Sequence, residues 1–215
     1  MKEKLRNSIF CLTLILMAGL FLGESKVYAV EVGSDTDAYD GEWGYRFLDD
    51  GTVSISEYLG EGGNITIPTE LGGYPVSEIG RYPRSNASAL YDKLDTLTEI
   101  TIPGSVKKID YAFGGSSNLK KVTIEDGVES INSAFQSCDS LESVEVPGSI
   151  VSMSGAFSSC DKLKTVIIDS GVETVAGFSG CDNLTDVVIP YGVKEIAGGA
   201  FSYCENLTNI TLPGE

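Results

Sequence analysis

Histidine is absent from the 215-residue sequence, and tryptophan occurs once. Without histidine the chain lacks the most frequent general base and the most frequent zinc ligand of proteins. Nucleophilic sites of the Ser–His–Asp or Cys–His type are therefore excluded within this chain. We find no glycine-rich phosphate loop, no Cys-x-x-Cys pair and no metal-ligand spacing. The sequence predicts no enzyme activity, no catalytic residue, no metal site and no cofactor.

Positive charge is scarce: 15 lysine and arginine residues stand against 31 acidic residues, a formal net charge of −16. Nucleic-acid binding requires clustered cations, so this balance argues against it. Residues 81–121 are the exception, with seven basic and four acidic residues. This zone is a candidate docking site for an acidic partner; solubility is the alternative role of its lysines. The candidate contact residues are Arg81, Arg84, Lys107, Lys108, Lys120 and Lys121.

Long apolar runs are missing except near the N-terminus, where residues 9–22 form a run of about 14 residues. A bilayer-spanning helix needs about 20. Lys2, Lys4 and Arg6 precede the run, and residues 27–29 suit a signal peptidase. We predict a signal peptide over 1–29, a secreted or cell-surface location, and membrane contact only through this segment before cleavage. A retained membrane anchor is the alternative.

The chain does contain a repeat of about 22 residues. Leucines recur at intervals of 22, 22, 22, 21 and 23 residues from Leu97 to Leu207, and each opens the same pattern of Val, Ile and Phe. A period this short predicts a β-rich solenoid, in which each coil buries its apolar side only against its neighbours. We predict short helical or 3₁₀ turns after the strands. The predicted core residues are Leu119, Leu141, Leu163, Leu184, Leu207, Phe113, Phe135, Phe157, Phe178, Phe201, Cys138, Cys160, Cys181 and Cys204.

The cysteines of the repeat occupy one position, three residues after each phenylalanine. Ser116 takes that position in an earlier coil. Stacked coils would place these side chains in a parallel row facing the core, an orientation that suits disulfide geometry poorly. We predict buried free thiols, with a disulfide or metal ladder as the alternative.

The N-terminal part of the exported chain does not follow the repeat. Residues 30–42 are polar and acidic and predict a flexible leader. Their aspartate spacing suggests a calcium loop, but Tyr39 stands where an oxygen ligand is needed. Two β-rich runs around Asp49-Asp50-Gly51 predict a hairpin over 43–64 that caps the first coil. The solenoid itself is predicted over 65–215, with an insertion at 81–91 and an open C-terminal end that a chain continuation or an edge-capping partner would cover.

Strand residues that point outward are mostly Thr, Glu, Asp and Ser. Ile167 and Val188 are apolar exceptions on adjacent coils, and they are candidate anchors for a partner. Ordinary filling of a strand by β-branched residues is the alternative explanation.

The repeat resembles the BspA-like type of leucine-rich repeat. The resemblance lies in the pattern Leu-x-x-Val/Ile-x-Ile-Pro-x-x-Val-x-x-Ile-x-x-Ala-Phe-x-x-Cys, as from Leu184 to Cys204, and it extends over about residues 65–212. Glu125 and Asp169 replace the proline in two coils. The resemblance implies a leucine-rich repeat array that binds host, matrix or neighbouring-cell proteins. It implies no shared active site. The alternative is a passive spacer, or a truncated fragment of a larger surface protein, with no ligand of its own.

Overall fold

Apolar and polar residues alternate in each repeat, and this alternation produces short strands with one buried side. A computed structural model describes residues 36–80 and 91–214. One 3₁₀ helix, Tyr91–Thr96, is present in this part of the chain. The predicted β-solenoid of about 22-residue coils is confirmed. Its strands are β1 Ala38–Asp40, β2 Trp43–Phe47, β3 Val53–Tyr58, β4 Gly63–Thr66, β5 Glu70–Leu71, β6 Tyr74–Ile79, β7 Leu97–Ile102, β8 Lys121–Ile124, β9 Ser143–Val146, β10 Thr165–Ile168, β11 Thr174–Val175, β12 Asp186–Val188, β13 Glu195–Ile196 and β14 Asn209–Thr211.

The main strands of successive coils pair in parallel. They form one sheet in the order β4-β7-β8 and a second in the order β14-β12-β10-β9. Where an acidic residue follows the strand, its N–H extends the ladder: Glu125 donates to Ile102 O at 2.9 Å, and Asp169 donates to Val146 O at 3.0 Å. Pro147 has no N–H to donate at this position. The missing donor lies at the boundary between the two sheets.

A polar ladder supports the opposite side of the coils. Asp110 Oδ1 accepts hydrogen bonds from the Ser130 hydroxyl at 2.7 Å and from Asn132 N–H at 2.9 Å. One coil later, Asn132 Oδ1 accepts from the Ser152 hydroxyl at 2.8 Å and from Ser154 N–H at 2.9 Å. These side chains satisfy backbone groups where the strands are too short to do so.

The core runs along the solenoid as a stack of phenylalanine rings. From Phe113 to Phe201, consecutive ring centroids lie 5.4, 5.5, 5.5 and 5.6 Å apart, with interplanar angles of 6° to 10°. The inner rings are fully buried, as are the predicted core leucines and cysteines of the same coils. Phe201, Cys204 and Leu207 are only partly buried, because they lie in the last coil that the structure describes.

In each coil, the segment around the phenylalanine consists of turns closed by 3₁₀-type hydrogen bonds. One example is the bond from Ser116 N–H to Phe113 O at 3.2 Å. In each coil with a phenylalanine, one residue on either side of that phenylalanine has left-handed backbone. The coil that ends at Phe178 is shorter than its neighbours, and Gly177 closes it with φ +84°. A Cβ at Gly177 would collide with the carbonyl oxygen of Met153, so the short coil depends on glycine here.

The N-terminal strands form a five-stranded sheet in the order β1-β2-β3-β6-β5. β2 and β3 pair antiparallel around Asp49-Asp50-Gly51, and β3 pairs with β6 in parallel. Trp43 and Tyr45 of β2 belong to the buried core, whereas Phe47 is half exposed. That this hairpin caps the solenoid stays a prediction.

The flexible leader predicted for 30–42 is wrong over its last residues. Ala38–Asp40 pairs with β2 as an antiparallel strand, and Thr36 is buried. The polar side chains that suggested disorder supply the contacts: the Thr36 and Ser56 hydroxyls lie 2.9 Å apart, and Asp37 accepts a hydrogen bond from Phe47 N–H.

Candidate functional site

The outward side of the second parallel sheet carries two adjacent apolar side chains. Ile167 is 52% exposed and Val188 is 60% exposed. Val166 is paired with Val187 across β10 and β12, so the next residues along the two strands, Ile167 and Val188, are neighbours in one row.

Polar residues border the apolar pair, Ile167 and Val188. In the same row, Glu145 of β9 lies opposite Ile167, and Thr211 of β14 lies opposite Val188. Thr165 and Asp186, paired with each other, are the exposed residues of the neighbouring row. A small apolar centre with a polar border is the usual arrangement of a protein-binding surface.

The described lysines of the predicted basic zone do not form one surface. Lys121 begins β8 on the outward side of the sheet, opposite Glu99. Lys108 lies on the other side of the coil, in an isolated bridge with Ser130, and its Nζ is 3.8 Å from Asp110 Oδ2. Lys120 is exposed. Arg81 and Arg84 lie outside the described residues.

Lys107 has a structural role that the sequence did not reveal. Its Nζ donates to the carbonyl oxygen of Gly127 at 2.8 Å and of Gly104 at 3.4 Å, and lies 3.5 Å from Glu129 Oε1. Gly104 and Gly127 pack so tightly at this corner that a Cβ on Gly104 would collide with the Asp126 carbonyl oxygen. The ammonium therefore joins two coils. The sequence alone could not reveal this role, because it depends on the close approach of two corners that are 23 residues apart in the chain.

The cysteine thiols donate to backbone carbonyl groups of the preceding coil. Cys160 Sγ lies 3.2 Å from Phe135 O, and Cys181 Sγ lies 3.2 Å from Phe157 O; Cys138 and Cys204 repeat the contact. Burial raises the pKa of Cys138 and of Cys181 to about 12, and raises that of Cys160 as well. These thiols therefore stay protonated and unreactive at neutral pH.

The family model for the BspA type leucine rich repeat region matches residues 86–207 in six copies, more than half of the chain. The chain belongs to the BspA-type leucine-rich repeat family. The predicted resemblance is thereby confirmed. No curated protein matched the chain.

Solved structures similar to this BspA-type chain are bacterial leucine-rich repeat proteins. A T. pallidum leucine rich repeat protein is 29% identical with a TM-score of 0.64, over 79% of both chains. A leucine rich cell surface protein of Faecalibacterium prausnitzii is 27% identical with a TM-score of 0.54, over 88% of this chain and 55% of its own. A Bacteroides ovatus leucine-rich repeat protein is 25% identical with a TM-score of 0.53, over 82% and 53%. The chain thus spans about half the length of the last two.

The described residues of this BspA-type chain contain no group of three or more His, Cys, Asp or Glu residues placed to hold a metal ion. No helix within 36–80 or 91–214 is long and apolar enough to span a membrane.

Proposed function

We propose that this chain is a secreted or cell-surface protein-binding module, and that it attaches to host or matrix proteins or to neighbouring cells. The observation that carries the proposal is the apolar pair on the outward side of the second sheet. Branched apolar side chains that are half exposed on neighbouring strands lose their contact with water when a partner covers them. Family membership and the likeness to a cell surface protein of F. prausnitzii support the same role.

Geometry limits the strength of a single contact. Neighbouring strands are about 4.8 Å apart, so the four strands of the second sheet offer a face of only about 15–20 Å, below the size of a typical stable protein interface. Attachment through this face would depend on many copies acting together, because multivalent binding converts weak contacts into a stable one.

The test is binding of the full chain to immobilised matrix proteins, measured by surface plasmon resonance at several coating densities. Ile167→Thr with Val188→Thr keeps β-branched residues on both strands and removes exposed apolar surface. We expect at least tenfold weaker binding, since a few central residues dominate such interfaces. Val151→Thr is the matched control because Val151 is 78% exposed outside the main sheets.

Charge reversal at Lys120 and Lys121 tests whether the basic residues contribute. Lys107 is left intact, since its ammonium bonds carbonyl groups at the corners of two coils. Slower association at low salt, with little change in dissociation, would assign these lysines to steering of an acidic partner. Undiminished binding by the Ile167→Thr/Val188→Thr variant would contradict the proposal.

A passive spacer is the second candidate. The remaining outward residues favour it, because they are mainly Thr, Ser, Glu, Asp and Asn, which keep a sheet solvated. No density-dependent binding to any matrix protein or cell surface, in a chain that folds normally, would establish this alternative.

A further inference from the structure

Two aromatic side chains are exposed in the N-terminal sheet, away from the apolar pair. Phe47 ends β2 and is 50% exposed; Tyr74 begins β6 and is 43% exposed. Their ring centroids lie 5.0 Å apart at an interplanar angle of 83°. Phe47 also meets the buried ring of Tyr45 edge-on, at 5.7 Å. These contacts hold the aromatic pair, Phe47 and Tyr74, in a defined orientation while leaving much of both rings in water.

Carboxylates lie beside the aromatic pair. The exposed Asp37 accepts a hydrogen bond from Phe47 N–H through Oδ2 at 3.0 Å. Asp40 Oδ2 accepts from Gly72 N–H at 2.9 Å, two residues before Tyr74. Burial and then the nearby Asp40 charge raise the pKa of Tyr45, the residue whose ring Phe47 meets edge-on.

Within the described residues 36–80, only one cation is available to neutralise these carboxylates. Residues 36–80 contain nine acidic residues and a single basic residue, Arg46. Strand alternation directs Arg46 to the face of β2 opposite Phe47, and its guanidinium lies near Gly80 and Ser54. Exposed ring faces beside carboxylates that form no ion pair with another described residue are complementary to a cation that also has an apolar stem.

We propose that the aromatic pair, together with Asp37 and Asp40, binds an arginine-containing basic segment of a partner protein. The guanidinium stacks on an exposed ring face and donates hydrogen bonds to a carboxylate. Arginine fits better than lysine because its planar group both stacks on aromatic rings and bonds two oxygens at once. The proposal does not depend on the apolar pair.

The probe is a fluorescent peptide of alternating arginine and glycine, titrated with the full chain and followed by anisotropy. Phe47→Leu with Tyr74→Leu removes the rings and keeps apolar volume. We expect this variant to bind about fourfold to twenty-fivefold more weakly, from two exposed ring–cation contacts of about twofold to fivefold each. Tyr191→Leu, at a site 82% exposed in a distant coil, should leave binding unchanged.

Two matched changes separate charge from shape. Asp37→Asn retains an oxygen that can accept from Phe47 N–H and removes the charge, so we expect about twofold to threefold weaker binding. A peptide with citrulline in place of each arginine keeps the planar donors and loses the positive charge, so its binding should fall below detection. Ile167→Thr/Val188→Thr should bind the arginine peptide like the unmodified chain.

General attraction to an acidic chain is the competing explanation. Equal affinities of the unmodified chain and the Phe47→Leu/Tyr74→Leu variant, with the same salt dependence, would overturn the proposal. NMR on the unmodified chain gives a test that needs no variant. The peptide must shift the Phe47 and Tyr74 ring signals first, and shifts confined to other residues would overturn the proposal as well.

Discussion

At the scale of the residue, each coil depends on two left-handed backbone positions beside its phenylalanine. Glycine occupies several of them, but Ser137 has φ 57° and Ser159 has φ 58°. A side chain in this region costs roughly 1–2 kcal/mol. These serines are therefore sites of strain that the surrounding backbone hydrogen bonds maintain, such as Ser159 N–H to Ser179 O at 2.7 Å.

Replacing Ser159 by glycine should raise the free energy of unfolding. Relief of the left-handed strain outweighs the entropy that glycine adds to the unfolded chain, about 0.5–1 kcal/mol, so we expect a gain of up to about 1 kcal/mol in urea unfolding. Ser158 is the matched control because it precedes Ser159 without positive φ. Ser158→Gly should cost about 0.5–1 kcal/mol. Equal effects of the two substitutions would show that the φ of Ser159 carries no strain.

At the scale of the element, sequence periodicity was sufficient for the strands and the core but not for the contacts between corners. The Val and Ile alternation predicted strands with one buried side, and the repeat spacing predicted that the phenylalanines lie in the core. The strand Ala38–Asp40 was missed because its polar residues obtain their order from hydrogen bonds to the hairpin.

The candidate site was predictable in part. Alternation along β10 and β12 was enough to point Ile167 and Val188 outward. Grouping the lysines by their position in the chain did not predict a common surface, because the two sides of one coil are close in sequence and face different directions. Lys107, for example, bonds the carbonyl oxygens of Gly104 and Gly127 at the corners of two coils. The aromatic pair was also missed, since residues 47 and 74 meet only through the pairing of β2, β3 and β6.

The phenylalanine stack makes a quantitative prediction about coil stability. Phe157 lies between Phe135 and Phe178 and is fully buried, so Phe157→Ala should lower the free energy of unfolding by about 3–5 kcal/mol. Phe201 is partly exposed and has one ring neighbour in the stack, so Phe201→Ala should cost clearly less. Urea unfolding followed by circular dichroism measures both. A larger loss at Phe201 than at Phe157 would contradict the continuous stack.

At the scale of the whole molecule, the thiol row connects coils across the solenoid and links stability to alkaline pH. The pKa of Cys138 and Cys181 is raised to about 12 by burial, against 9.0 for an ordinary thiol, and the pKa of Cys160 is raised too. Between these values the unfolded chain has lost thiol protons that the folded chain retains. The unfolded state then binds fewer protons, so the free energy of unfolding falls as pH rises.

We therefore expect the thiol contribution to stability to be fully present below about pH 9 and to be lost progressively between pH 9 and about 12. Tyr45 and Tyr58 also have raised pKa values, so the unmodified chain alone cannot isolate the thiols. The comparison is with a Cys138→Ala/Cys160→Ala/Cys181→Ala variant, which leaves both tyrosines unchanged. Urea midpoints of the two proteins should converge as pH rises from 9 to 11, since only the unmodified chain loses the thiol contribution. A constant difference across that range would show that the buried thiols titrate alike in the folded and unfolded states.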